Sequence, residues 1–96
     1  MIIASRELID EFIKKHPQAK SSLELWMYRA ESLNWKTPAD IKATVRSVDF
    51  LHGNRAIFNI SGNKYRLYVK VLYIEGILYV MGVYTHAEYS KLNLNK

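Results

Sequence analysis

Apolar residues recur at helical spacing before Asn34 and at every second position after Asn54, and this change of period constrains the fold more than any other feature. Arg55-Ala56-Ile57-Phe58-Asn59-Ile60 reads as a strand with Ala56, Phe58 and Ile60 on one face. A Ser61-Gly62-Asn63 turn leads into a longer strand, Lys64 to Ile74. There Tyr65, Leu67, Val69, Val71 and Tyr73 point one way, and Lys64, Arg66, Tyr68 and Lys70 the other. A Glu75-Gly76 turn and a strand from Ile77 to Tyr84 follow. A weaker strand, Val45 to Leu51, precedes them across His52-Gly53-Asn54. Every connection is short enough for antiparallel neighbours, which predicts a four-stranded meander. Met1 to Ala4 is available as an additional N-terminal strand.

The first half supplies helices to cover that sheet. Ser5 is a candidate N-cap, with Glu7, Asp10 and Glu11 early in the helix and Lys14, Lys15 and His16 late, the order favoured by the helix dipole. Leu8, Ile9, Phe12 and Ile13 form its apolar stripe, and Pro17 stops it. A second helix is expected from Ala19 to Leu33, where Ala19, Leu23, Trp26, Ala30 and Leu33 make a core-type stripe. Two helices meeting at Pro17 suggest an antiparallel hairpin. Thr37-Pro38-Ala39-Asp40 starts a short third helix, with Trp35 beside it as a lid over the core. Thr85-His86-Ala87-Glu88 is a capping box that turns the last strand into a short terminal helix, placing His86 and Tyr89 on one face. The expected class is therefore α+β: a small antiparallel-dominated sheet, an N-terminal helical hairpin packed on one face, and a short C-terminal helix.

Composition narrows the setting. Ninety-six residues, 49% of them hydrophobic, suffice for one core, so residues 1–96 are read as a single domain. The formal charge of +5 is unevenly spread: eight basic and seven acidic residues up to Phe50, six basic and two acidic after it. The positive charge thus belongs to the sheet and favours a polyanionic partner. Without cysteine, thiol chemistry is excluded. No apolar run approaches the roughly 20 residues that span a bilayer, and the N-terminus does not read as a signal peptide, so a cytoplasmic protein with no membrane partner is expected. His16, His52 and His86 fall in separate elements, and Glu75 and Glu88 are the only carboxylates of the second half, so neither a metal nor another cofactor is expected.

Three stretches together resemble a known family: Trp35-Lys36-Thr37-Pro38-Ala39-Asp40-Ile41-Lys42, Phe58-Asn59-Ile60-Ser61-Gly62-Asn63-Lys64-Tyr65-Arg66-Leu67, and Thr85-His86-Ala87-Glu88-Tyr89. In order and separation they are similar to the signature segments of the HigB host-inhibition toxins, within the RelE/ParE superfamily. The resemblance implies a RelE-like fold and a ribosome-dependent mRNA endonuclease, held inactive by a cognate helix-turn-helix antitoxin of the HigA type.

The residues suit that chemistry. Cleaving RNA without a metal requires proton transfer from the 2′-OH and to the departing 5′-oxygen, with fixed cations on the phosphate. Arg66 offers a planar fork for two phosphoryl oxygens and Lys64 a point charge. His86 carries an imidazole, the side chain suited to acid or base work near neutral pH, and Tyr89 a phenol suited to donate a hydrogen bond or proton or to stack. Lys64, Arg66, His86 and Tyr89 are the catalytic candidates, and Arg55, Asn63, Tyr68 and Lys70 the RNA-binding ones. The plain readings stand beside these: a cationic strand face is usually just solvated, Asn59 and Asn63 are turn formers, and Lys42 completes its helix. Family members often carry a cation in the last strand, where this chain has Val80-Met81-Gly82-Val83-Tyr84, and an acid after the tyrosine, where it has Ser90. More of the phosphate contact therefore falls to Arg66, Lys64 and Arg55. Two other functions fit the same surface: poisoning of DNA gyrase, which needs no acid–base pair, and RNA binding without cleavage.

Overall fold

The computed structural model describes residues 1–92. In chain order it contains β1 (Ile2–Ala4), α1 (Glu7–Lys15), α2 (Lys20–Ser32), α3 (Pro38–Thr44), β2 (Asp49–Leu51), β3 (Arg55–Ile60), β4 (Tyr65–Leu72), β5 (Ile77–Thr85) and α4 (His86–Ser90), with a single 3-10 turn at Pro17–Ala19. The strands form one sheet in the order β1-β5-β4-β3-β2. The meander from β2 to β5 is antiparallel throughout, and β1 adds to β5 in parallel, Ile2 opposite Ile77. The class is α+β, as the change of period requires.

One sheet face carries the core because alternation leaves it no polar residue. Phe58, Leu67, Val69, Val71 and Leu78 are wholly buried on it. Trp26 of α2 meets Phe58 edge-on, with ring centroids 5.1 Å apart, and Trp35 stacks on Phe58 at 6.0 Å and 14°. Trp35 is therefore a lid over the core. Phe12 of α1 meets Tyr65 of β4 edge-on at 5.5 Å. The opposite face has a smaller apolar cluster of its own, Leu51, Ile57 and Tyr68, with Tyr84 and Tyr89 against it.

Several local expectations change. Ser5 does not cap α1; it takes a left-handed φ of 64° that turns the chain out of β1, and Arg6 holds the N-cap position without a side-chain cap. Helix α1 lies against β5 and α2 against β1 and β3, the two helices being joined through the 3-10 turn at Pro17–Ala19. The strand predicted from Val45 starts only at Asp49, because the Val45 amide still donates to the Ile41 carbonyl at 2.7 Å as the C-cap of α3. Lys64 belongs to the turn and not to β4: Ser61 and Gly62 both adopt left-handed φ (53° and 68°), and pairing resumes at Ile60 with Tyr65. Strand β4 also ends early, because the Gly76 amide reaches back to the Leu72 carbonyl at 2.9 Å and puts Tyr73 and Ile74 in the turn. Among the described residues no helix is long and apolar enough to cross a membrane.

Candidate active site

Arg66 stands one residue beyond the turn, on the face away from the main core. Its Nη1 donates to the carbonyls of Asn63 at 2.9 Å and Tyr65 at 3.3 Å. The left-handed pair Ser61 and Gly62 folds the chain back far enough to bring the Asn63 carbonyl to its own arginine. The Ser61 hydroxyl lies 2.6 Å from that of Ser22 in α2, tying the turn to a helix.

The terminal helix is fastened to the same turn. The amide of His86 donates to the Lys64 carbonyl at 2.9 Å. Thr85 accepts from the Glu88 amide at 3.2 Å, and the Glu88 carboxylate accepts from the Thr85 amide at 2.8 Å, so both halves of the capping box are made. The hydrogen bond from the Thr85 backbone, helped by the Thr85 hydroxyl and by the charges of His16 and Lys15, holds the Glu88 carboxyl below its ordinary value of 4.5. The helix so fixed delivers two side chains to Arg66. His86 Nδ1 lies 3.5 Å from Arg66 Nη2, and Arg66 Cζ lies 5.4 Å from the centre of the Tyr89 ring. That nitrogen pair is long for a direct hydrogen bond but close enough for both groups to share one ligand.

Three of the four catalytic candidates, Arg66, His86 and Tyr89, thus converge. Lys64 joins them through its backbone carbonyl, while its exposed side chain belongs to the turn. Asn63 is exposed and holds Arg66 by its carbonyl. Arg55, Tyr68 and Lys70 lie farther along the same face. Arg55 Nη1 donates to the Tyr68 hydroxyl at 2.8 Å and Nε to the His52 carbonyl at 2.7 Å, and Arg55 is paired in register with Lys70. Lys70 is four residues from Arg66, about 13 Å at 3.3 Å per residue. Tyr68 is 9% exposed and presents little ring surface.

Strand β5 brings no cation to this face. Tyr84 pairs with Arg66 and Gly82 with Tyr68, but Val69 pairs with Val80, leaving Met81 as the extra residue of a bulge. Met81 lines a cleft with Leu8, His16 and Glu88, while Tyr84, Gly82 and Tyr79 pair with Arg66, Tyr68 and Lys70 on the Arg66 face, none of them a cation. Burial first, then Tyr68 and Glu88, pushes the Tyr84 phenol up, which keeps it protonated.

Sequence reasoning missed the wall facing Arg66. A cleft of about 470 Å³ runs from Arg66 and Tyr89 past Asn59 to Lys42, Arg46 and Asp49 at the corner between α3 and β2. Asn59 was readable, since Arg55, Ile57 and Asn59 alternate onto one face and Asn59 pairs with Arg66. Lys42 and Arg46 carried a weaker signal, two cations four apart across a helix end. Among the described residues no group of three or more His, Cys, Asp or Glu could hold a metal.

Residues 19–92, more than half of the chain, match the family model of the HigB toxins, described as the RelE-like toxic component of a toxin-antitoxin system. No curated protein matches the chain. All of α2 to α4 lies inside the matched segment, and β1 and α1 precede it.

Proposed function

Because the chain belongs to the HigB toxin family, and is thus a RelE-like toxin of a toxin-antitoxin system with an antitoxin partner, we propose that it is a ribosome-dependent mRNA endonuclease acting in the cytoplasm, with an antitoxin of the HigA type. The observation that carries this reading is the convergence of Arg66, His86 and Tyr89, with Arg66 and Tyr89 lining a cationic cleft. An imidazole beside a fixed guanidinium is what metal-free phosphodiester cleavage needs, whereas a gyrase poison has no use for it.

In the proposed reaction the 2′-oxygen loses its proton and attacks the adjacent phosphorus, the bond to the 5′-oxygen breaks, and that oxygen takes up a proton. The products are a 2′,3′-cyclic phosphate and a 5′-hydroxyl. Arg66 holds the phosphoryl oxygens as negative charge builds on them, with Lys64 adding a screened charge from the turn. His86 moves a proton at the reacting oxygens. Tyr89 supports the guanidinium with its ring and offers a phenol hydroxyl for hydrogen bonding. Arg55, Asn63 and Lys70 steady the flanking strand, Arg55 being braced by the buried Tyr68.

Expression without the antitoxin, followed by mapping of mRNA ends, tests the proposal. New 5′ ends in translated messages, lost in the His86→Ala and Arg66→Ala variants, are the expected result. Growth arrest with intact transcripts, or full toxicity of both variants, would overturn it.

A further inference from the structure

We propose that Lys42 and Arg46 form a second phosphate subsite, which clasps the RNA backbone next to the phosphate held by Arg66. The inference rests on the reading of this protein as an RNA-cleaving toxin and extends it to residues outside the catalytic group. Its basis is geometric. Lys42 lies in the last turn of α3 and Arg46 just beyond its C-cap, both exposed, and both line the cleft that Arg66 and Tyr89 close at the other end.

The corner that presents them is anchored by capping and burial. Helix α3 begins with a complete Thr37–Asp40 capping box, buries Ile41 entirely, and ends on the Val45 cap, after which Val48 is again buried. The Lys42 ammonium is drawn toward the Val48 carbonyl, at 3.4 Å, which holds the side chain along the corner. Arg46 adds a planar fork. Among the described residues Asp49 is the only carboxylate lining the cleft, against three cations, so the balance attracts an anion while Asp49 marks where a phosphate will not settle.

The floor between the two ends fits a nucleotide. Asn59 supplies amide donor and acceptor groups, and the half-buried Tyr89 an aromatic side chain beside them. About 470 Å³ falls within the roughly 300–1,000 Å³ typical of small-ligand pockets, enough for one nucleotide unit. An RNA strand lying in the cleft therefore has one phosphate at Arg66 and the neighbouring one at Lys42 and Arg46.

The test measures binding of the full-length protein to a 2′-O-methyl oligoribonucleotide, which cannot be cleaved, over a range of salt concentrations. The Lys42→Gln/Arg46→Gln variant should bind about tenfold more weakly whatever the sequence, with a salt slope shallower by about 0.7 for one lost phosphate contact. Lys42→Arg/Arg46→Lys should restore both. An unchanged slope in the glutamine variant, or no binding by the unmodified protein, overturns the subsite. Cleavage on programmed ribosomes is measured in parallel and separates the two ideas. Normal binding losses without cleavage by any form would remove the nuclease reading and leave the subsite. Cleavage by the glutamine variant at unchanged kcat/KM would remove the subsite and leave the nuclease.

Discussion

The guanidinium of Arg66 lies over the ring of Tyr89, 5.4 Å from Cζ to the ring centre, although the two residues sit on different elements, β4 and α4. The ring supports the cation from below while the Asn63 and Tyr65 carbonyls hold it from the side. Tyr89→Phe keeps the π face and should retain cleavage within about tenfold. Tyr89→Ala lets the guanidinium shift, and a displacement of about 1 Å at a reacting centre costs on the order of a hundredfold. Single-turnover cleavage rates on programmed ribosomes compare the two. Equal losses would show that the hydroxyl, not the ring, matters.

Arg66 itself is held by one nitrogen, which leaves the other side of the fork for phosphate. Arg66→Ala should lower kcat by about 10²–10³-fold, the usual consequence of removing a fixed donor from a developing oxyanion. Arg66→Lys should recover little, because an ammonium cannot keep the carbonyl contacts and present two parallel donors together. Urea midpoints should barely move in either variant, since Arg66 is only half-buried and faces the cleft.

The capping box of α4 makes the position of His86 sensitive to acid. A carboxyl held below its ordinary value stabilises the folded form above that value, and the contribution is lost as pH falls through the lowered one. Amide exchange at His86 to Glu88 should therefore accelerate, relative to the sheet, only below about pH 4.5 in the unmodified protein. Glu88→Gln should remove that pH dependence. Thr85→Ala should cost the helix about 1 kcal/mol and reduce cleavage by displacing His86, with Thr85→Ser restoring it.

The strand β3 could be read residue for residue because one apolar alternation covers it without interruption. The boundary of β4 could not, because nothing local tells Lys64 that Ser61 and Gly62 will both turn left-handed and claim it for the turn. The hydrogen bonds that decide β2, from Val45 back to Ile41, look the same in sequence as the start of an apolar strand. At the site, Arg66, His86 and Tyr89 were legible because a strand face and a capping box each fix direction. Lys42 and Arg46 were not, because their position depends on how the α3–β2 corner returns to the sheet. The burial of Tyr68 arises likewise from a cluster drawn from three strands, β2, β3 and β4.

Phe58 is the point at which both tryptophans meet the sheet. It is wholly buried, with Trp26 edge-on and Trp35 stacked. Phe58→Ala should destabilise the fold by about 3–5 kcal/mol, measured by urea unfolding, with a shift in tryptophan fluorescence. Phe58→Leu should cost clearly less, because much of the volume is kept. A small effect of the alanine variant would mean that the two indoles close the gap by themselves.

Gly82 is needed for the space above it, not for an unusual backbone angle. A Cβ built there would meet the Tyr84 ring, with Cζ at 2.6 Å and Cε2 at 2.9 Å. Tyr84 lies across the glycine toward the cluster of Leu51, Ile57 and Tyr68, against which Tyr89 also packs. Gly82→Ala must therefore displace Tyr84, and overpacking of this kind costs about 1–3 kcal/mol. Because Tyr89 shares the cluster and carries Arg66, cleavage should fall together with stability. The Gly82→Ala/Tyr84→Ala pair should lose less than the two single losses combined, since removing the ring removes the clash. Urea midpoints of the four proteins in this cycle give the coupling directly. Strictly additive losses would mean that the methyl group perturbs the β5 bulge rather than the tyrosine.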